Sequence, residues 1–138
     1  MTDSILLEVL TPARKVFSAQ VTELQFPTKE CGYYGILPGH TPLVSALGQG
    51  LVLYTEGDRK HFLTVFGGFA EVGPEKVTIL ARASETVDMI DADRAEAARQ
   101  RALKAIKEAS SEADLAHAQI KLQRSLIRLQ AAGRPVGH

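Results

Sequence analysis

The sequence predicts an α+β chain: an N-terminal antiparallel β-sandwich over residues 1–86, then a C-terminal antiparallel two-helix hairpin over residues 87–138. Two observations predict it. All 11 glycines and all 6 prolines lie between Pro12 and Pro74 or in the last six residues, so residues 75–132 hold no helix breaker. The apolar residues also change period, from alternation in the first half to helical spacing after about residue 90. A turn-rich half followed by a breaker-free half reads as a β module and then a helical one. With 138 residues there is room for one compact domain and a modest appendage, or for two small modules.

The strands follow in order. Ile5, Leu7 and Val9 alternate with Leu6, Glu8 and Leu10 until Thr11-Pro12 ends the run. Leu24 and Phe26 alternate with Glu23 and Gln25 ahead of Pro27. Residues 51–55 and 62–66 flank Glu56-Gly57-Asp58-Arg59, a hairpin signal. Gly48, Gly50 and the pair Gly67-Gly68 read as turn glycines. Val77 and Ile79 alternate with Thr78 and Leu80 in the last strand. Several runs are apolar on both faces, as strands at a sandwich core can be.

The helices follow. Asp93 with Glu96 fits a capping box, and Asp91 competes for the N-cap. Ala95, Ala98, Ala102, Ala105 and Ala109 then place a narrow stripe of small side chains on one face. Ser111 with Asp114 carries cap chemistry again, which puts the turn near residue 111. The second helix runs to about Ala132 and stops at Gly133-Arg134-Pro135. It has three faces: an apolar one with Leu115, Ala118, Leu122, Leu126 and Leu129, another with Ala116, Ile120, Ile127 and Ala131, and a basic one with His117, Lys121, Arg124 and Arg128. A basic stripe is most often a solvated face. Arginines at i and i+4 can also converge on one phosphate or carboxylate.

Composition excludes several functions. Lys+Arg and Asp+Glu are both 16, so no net charge points to nucleic acid. The single cysteine, Cys31, cannot form an internal disulfide. No apolar run reaches the roughly 18 residues of a membrane span, and the N-terminus lacks the basic start and apolar core of a signal peptide. Any membrane link is therefore expected through a partner. An enzyme using Cys31 with His40 or His61 as base is one reading, but nothing in the spacing brings them together. The histidines show no paired metal-ligand spacing, and no P-loop occurs.

The segment Gly35-Ile36-Leu37-Pro38-Gly39-His40-Thr41-Pro42-Leu43 resembles the G-I-L-P-G-H-x-P-L signature of ATP synthase epsilon subunits. Val65-Phe66-Gly67-Gly68-Phe69-Ala70-Glu71-Val72 and Val77-Thr78-Ile79-Leu80-Ala81 resemble two further stretches of that family, in the same order. The resemblance implies a non-catalytic central-stalk rotor subunit of a proton-translocating F-type ATP synthase. Its sandwich would dock on the gamma subunit and the membrane ring of c subunits through Tyr33, Tyr34, Gly35, Ile36, Leu37, Pro38, Gly39 and His40. By position, Cys31-Gly32-Tyr33-Tyr34 would face the ring and His40 the stalk. The second helix would restrain ATP hydrolysis by meeting acidic segments of the alpha/beta catalytic head through Lys121, Arg124 and Arg128. Ile90-Asp91-Ala92-Asp93-Arg94-Ala95 also resembles the I/L-D-x-x-R-A motif of epsilon subunits that bind ATP without hydrolysing it. Carried over, that regulatory site would comprise Glu85, Asp91, Arg94, Ala95, Arg101, Arg124 and Arg128. No cofactor is required, and ATP is the expected regulatory ligand. The expected place is the cytoplasmic face of a bacterial plasma membrane, held peripherally. A free-standing ATP-binding sensor is the alternative reading.

Overall fold

The computed structural model describes residues 4–133, and the chain divides after Val87 into two compact units. The first holds eight strands: β1 (Ile5–Leu10), β2 (Lys15–Val21), β3 (Glu23–Pro27), β4 (Tyr33–Ile36), β5 (Leu43–Glu56), β6 (Arg59–Val72), β7 (Lys76–Ala81) and β8 (Ser84–Thr86). They hydrogen-bond in the order β2-β1-β7-β6-β5-β3-β4, with β8 on β6. This path folds back on itself into two layers. β2 packs against β5 and β8 without pairing with either, and the Phe17 ring of β2 sits 4.9 Å from the Tyr54 ring of β5. β5 and β6 are long enough, at 14 residues each, to pass through both layers.

The alternation read from sequence becomes the core. In β1 the odd positions Ile5, Leu7 and Val9 are fully buried, and in β7 Val77, Ile79 and Ala81 face the same interior. Phe26, Leu24, Ile36, Val52, Leu63 and Val65 complete it from the other strands. The expected hairpin at residues 56–59 forms, with Glu56 opposite Arg59 and Gly57 at φ 65°. A glycine of positive φ at the first central position is the type II′ geometry that suits strand twist.

The expected antiparallel sandwich forms with one parallel pair, β1 with β7, Leu6 opposite Lys76 through Leu10 opposite Leu80, and two further expectations need correction. Tight turns impose antiparallel pairing only on neighbours in sequence, and most of the unit separates these two strands. The glycines at 48, 50, 67 and 68 are not turns but lie inside β5 and β6. Gly67 and Gly68 have φ 80° and 120°, and on the neighbouring side the ladder breaks between β7 and β8. These glycines let a single strand bend from one layer into the other. Lastly, Asp93 lies inside the first helix and is not its N-cap. Asp91 caps the first helix by accepting from the Arg94 amide at 3.0 Å, while Glu96 bonds Arg99 at 2.9 Å.

The second unit is the helical hairpin, α1 (Ala92–Glu108) and α2 (Glu112–Ala131), entered through a 3₁₀ turn at Val87–Met89. Ser111 caps α2 by accepting from the Asp114 amide at 3.1 Å. Gly133, at φ 76°, follows its end, and Arg134-Pro135 of the expected stop lies outside the described residues. Ala95 and Ala102 of the alanine stripe are buried, whereas Ala105, at its edge, is exposed. Asp91→Ala removes one cap and is expected to destabilise the hairpin by about 1 kcal/mol, with Asp91→Asn close to wild type. Thermal unfolding followed by helical circular dichroism checks this; equal melting of the two variants would show that the cap contributes nothing.

Candidate functional site

The segment of residues 35–43 begins as the end of β4, an edge strand of the sheet, and leads into β5. Its centre is a tight turn: the His40 amide donates to the Leu37 carbonyl at 3.2 Å, with Pro38 and Gly39 between them. Proline fixes the first central position and Gly39, at φ 83°, supplies the second, as a type II turn requires. The Gly39 amide donates to the Pro74 carbonyl at 2.8 Å, which anchors the turn to the β6–β7 connection.

Aromatic contacts align this edge. Tyr34 stacks on buried Phe26, centroids 6.2 Å apart, and meets the His40 ring edge-on at 5.7 Å. His40 Nδ1 lies 2.7 Å from the Thr41 carbonyl, which can only accept, so Nδ1 carries the proton there. The Tyr33 hydroxyl accepts from the Leu51 amide at 3.0 Å. Tyr33, Tyr34 and Leu37 nevertheless remain exposed, Leu37 by 60%. The edge therefore presents apolar groups on a fixed backbone. Ile36, also among the expected contacts, is buried in the core and supports the edge from behind.

A second surface escaped the sequence reading. In runs that are apolar on both faces, Val44, Phe69 and Leu80 point outward and are 71%, 58% and 46% exposed. Cross-strand pairing lines up Ala46, Phe69, Leu80 and Leu10 in one row over β5, β6, β7 and β1. The row forms an exposed apolar strip across four strands, the kind of surface that partners cover in other proteins. On the same face Glu8 binds Lys15 at 3.0 Å and Lys76 at 3.1 Å. These two ammonium groups, Lys15 first, hold the Glu8 carboxyl below its usual pKa.

Of the expected nucleotide-site residues, Glu85 belongs to the first unit and the other six to the second. Glu85 sits in β8, its amide bonded to the Thr64 hydroxyl at 2.9 Å. Asp91, Arg94 and Ala95 form the start of α1; Asp91 is engaged as cap and Ala95 is buried. Residues equidistant from the turn come level in a helical hairpin, which sets Arg124 and Arg128 alongside the first turns of α1. Arg101 stands two turns further along α1, about 10 Å from Arg94. His117, Lys121 and Arg124 are exposed, and Arg128 is half-buried. The apolar stripes of α2 differ from expectation in detail. Ser125 is buried among them, its hydroxyl donating to the Leu122 carbonyl at 2.7 Å, and Ile120 is exposed while Ile127 is buried.

Cys31 is exposed, its amide donating to the Thr28 hydroxyl, and no hydrogen bond joins it to His40 or His61. Among the described residues no cluster of three metal-ligating side chains occurs, and no helix is long and apolar enough to cross a membrane.

Comparison with known proteins covers both units. Residues 4–87 match the family described as ATP synthase, Delta/Epsilon chain, beta-sandwich domain, and residues 88–133 its long alpha-helix domain. The ATP synthase epsilon chain of Nitratidesulfovibrio vulgaris is 41% identical over 133 residues, 96% of this chain and 98% of the relative. That of Bacillus pumilus is 40% identical over 131 residues, 95% and 98% of the two chains. A chain in the cryo-EM structure of the Euglena gracilis mitochondrial ATP synthase (OSCP/F1/c-ring in rotational state 1) superposes with a TM-score of 0.80 at 25% identity. The match covers 97% of this chain and 84% of that one. A chain from the Tetrahymena thermophila mitochondrial ATP synthase central stalk and c-ring shares the fold, with a TM-score of 0.63 at 13% identity over 93% and 96% of the two chains.

Proposed function

This chain belongs to the ATP synthase delta/epsilon family, and from that premise we propose that it is a central-stalk rotor subunit that couples the c-ring to the catalytic head and restrains ATP hydrolysis. The observation that carries the coupling role is the rigid, exposed apolar edge at Tyr33, Tyr34 and Leu37, pinned by the Pro38-Gly39 turn. A torque-bearing contact needs a backbone that does not yield, and a turn tied to a neighbouring connection supplies one. In this reading Tyr33 to His40 meet the gamma subunit and the ring. The chain sits peripherally on the cytoplasmic face of a bacterial plasma membrane, in a complex that moves protons.

The restraint on hydrolysis is assigned to Lys121, Arg124 and Arg128 of α2, two of them exposed, facing acidic segments of the alpha/beta head. ATP is the regulatory ligand of this proposal, taken by Arg94, Arg101, Arg124 and Arg128 with Asp91 and Ala95. Guanidiniums suit the phosphates. A ligand that binds one hairpin state better shifts the hairpin toward that state.

Two measurements test it. Calorimetric titration of the full chain with ATP should give binding that Arg124→Ala/Arg128→Ala abolishes. Heat from the double variant equal to wild type would remove these arginines from the site, and no heat up to millimolar ATP would end the sensor role. In the assembled complex, replacing Lys121, Arg124 and Arg128 by alanine should raise ATP hydrolysis about fivefold, the scale of a 1 kcal/mol coupling. An unchanged rate would place the restraint elsewhere.

A further inference from the structure

The outer face of β7 and β1 carries an open hollow of about 410 Å³, lined by Leu10, Pro12, Gly68, Phe69, Leu80 and Arg82. Its floor is almost wholly apolar. Phe69 and Leu80 stand as walls open to solvent. Arg82 closes one rim. It continues the outward parity of Thr78 and Leu80 past the end of β7, and its stem lies over Gly67, whose added Cβ would sit 3.6 Å from Arg82 Cδ. Its amide is fixed to the Gly67 carbonyl at 3.1 Å. Arg82 is exposed and has no ion-pair partner among the described residues.

We infer that this hollow receives a large apolar side chain of the stalk partner, with a carboxylate beside it that pairs with Arg82. The inference deepens the docking role proposed above and rests on it. An apolar hollow with one guanidinium on its rim selects a segment with the same two features, because a planar fork of donors is best met by a carboxylate. Burial of the apolar side chain supplies affinity, and the charge pair fixes orientation. A second copy of this chain, paired about a two-fold axis centred on the hollow, fits poorly: no carboxylate lines the hollow to meet Arg82. The opposite end of the apolar face carries exposed Glu71 beside Val44, one strand row beyond Phe69. Lys76 at that end is already paired with Glu8, so a partner lying in reverse would bring its carboxylate to Glu71 and to no unpaired cation, and the face distinguishes one direction from the other.

The test uses the full chain and the purified gamma subunit of the same synthase, with equilibrium affinity measured at about 50 mM and about 300 mM salt. Arg82→Glu is expected to weaken binding at least about tenfold at low salt, and Arg82→Gln less. High salt should narrow the gap between the Arg82→Glu variant and wild type. Phe69→Ser is expected to weaken binding at both salt concentrations. All three variants change exposed side chains, so melting temperature should hold, and Arg82→Gln gives the readout should the reversal destabilise the chain. Wild-type binding with unaltered affinity in both Arg82 variants would overturn the inference and leave the docking role standing. Failure of the wild-type chain to bind gamma would overturn both. A concentration-dependent dimer by sedimentation that Arg82→Glu disrupts would overturn it in favour of a second copy.

Discussion

Gly68→Ala is expected to destabilise the β-sandwich by about 4 kcal/mol, enough to lower its melting temperature by more than about 15 °C. Two effects add. Gly68 has φ 120°, a conformation that side-chain-bearing residues rarely adopt. A Cβ built there would overlap the Leu80 carbonyl oxygen and come within 2.9 Å of the Ala81 Cα. Both are backbone atoms of β7, so relief requires moving the strand that pairs with β1 and β6. Gly57→Ala is the control, because Gly57 also has positive φ but nothing lies within 4 Å of its added Cβ. It should cost only about 1 kcal/mol. If the two variants unfold alike in urea, the close approach of β6 and β7 is not what Gly68 serves.

Phe26→Ala is expected to cost about 3–5 kcal/mol, as large-to-small changes at fully buried aromatic positions do. Phe26 is 0% exposed, and it bridges the core to the docking edge through its stack on Tyr34. Phe26→Leu separates the two roles. It keeps most of the apolar volume, so the chain should fold with a smaller loss. It removes the aromatic stack, and with it part of the alignment of Tyr34 against His40. Affinity for the gamma subunit should then fall about threefold, the scale of one aromatic pair. Full affinity in a folded Phe26→Leu chain would show that the edge keeps its geometry without the stack. Urea denaturation and the same gamma-binding assay read the two effects independently.

The three surfaces divide the proposed work. The edge at Tyr33, Tyr34 and Leu37 and the outer row of Val44, Phe69 and Leu80 belong to the first unit. The basic stripe of α2 belongs to the second. A rotor part needs permanent contacts and a regulatory part needs releasable ones. Apolar groups on strands suit the first need, and exposed long cationic side chains on a helix suit the second. Long-range attraction between exposed charges is screened by salt, so restraint by Lys121 and Arg124 should be more salt-sensitive than docking by the apolar edge.

The amino-acid sequence by itself determined whatever depends on neighbours in the chain. Gly57-Asp58 makes its hairpin, Pro38-Gly39 its turn and Ser111 its cap, because each needs only a few consecutive residues to satisfy backbone groups or a special φ. The period of two in β1 and β7 likewise marks them as strands. The sequence alone could not decide what depends on partners distant along the chain. β1 and β7 pair in parallel, and Gly67 and Gly68 bend a strand rather than end it, because the second layer must cover the first. Asp91 rather than Asp93 caps α1, a choice of two residues that both carry the right chemistry. Above all, Phe69 and Leu80 look like core in a run apolar on both faces. Only the folded sheet, whose two layers can bury one face of each strand, leaves them outside for a partner to cover.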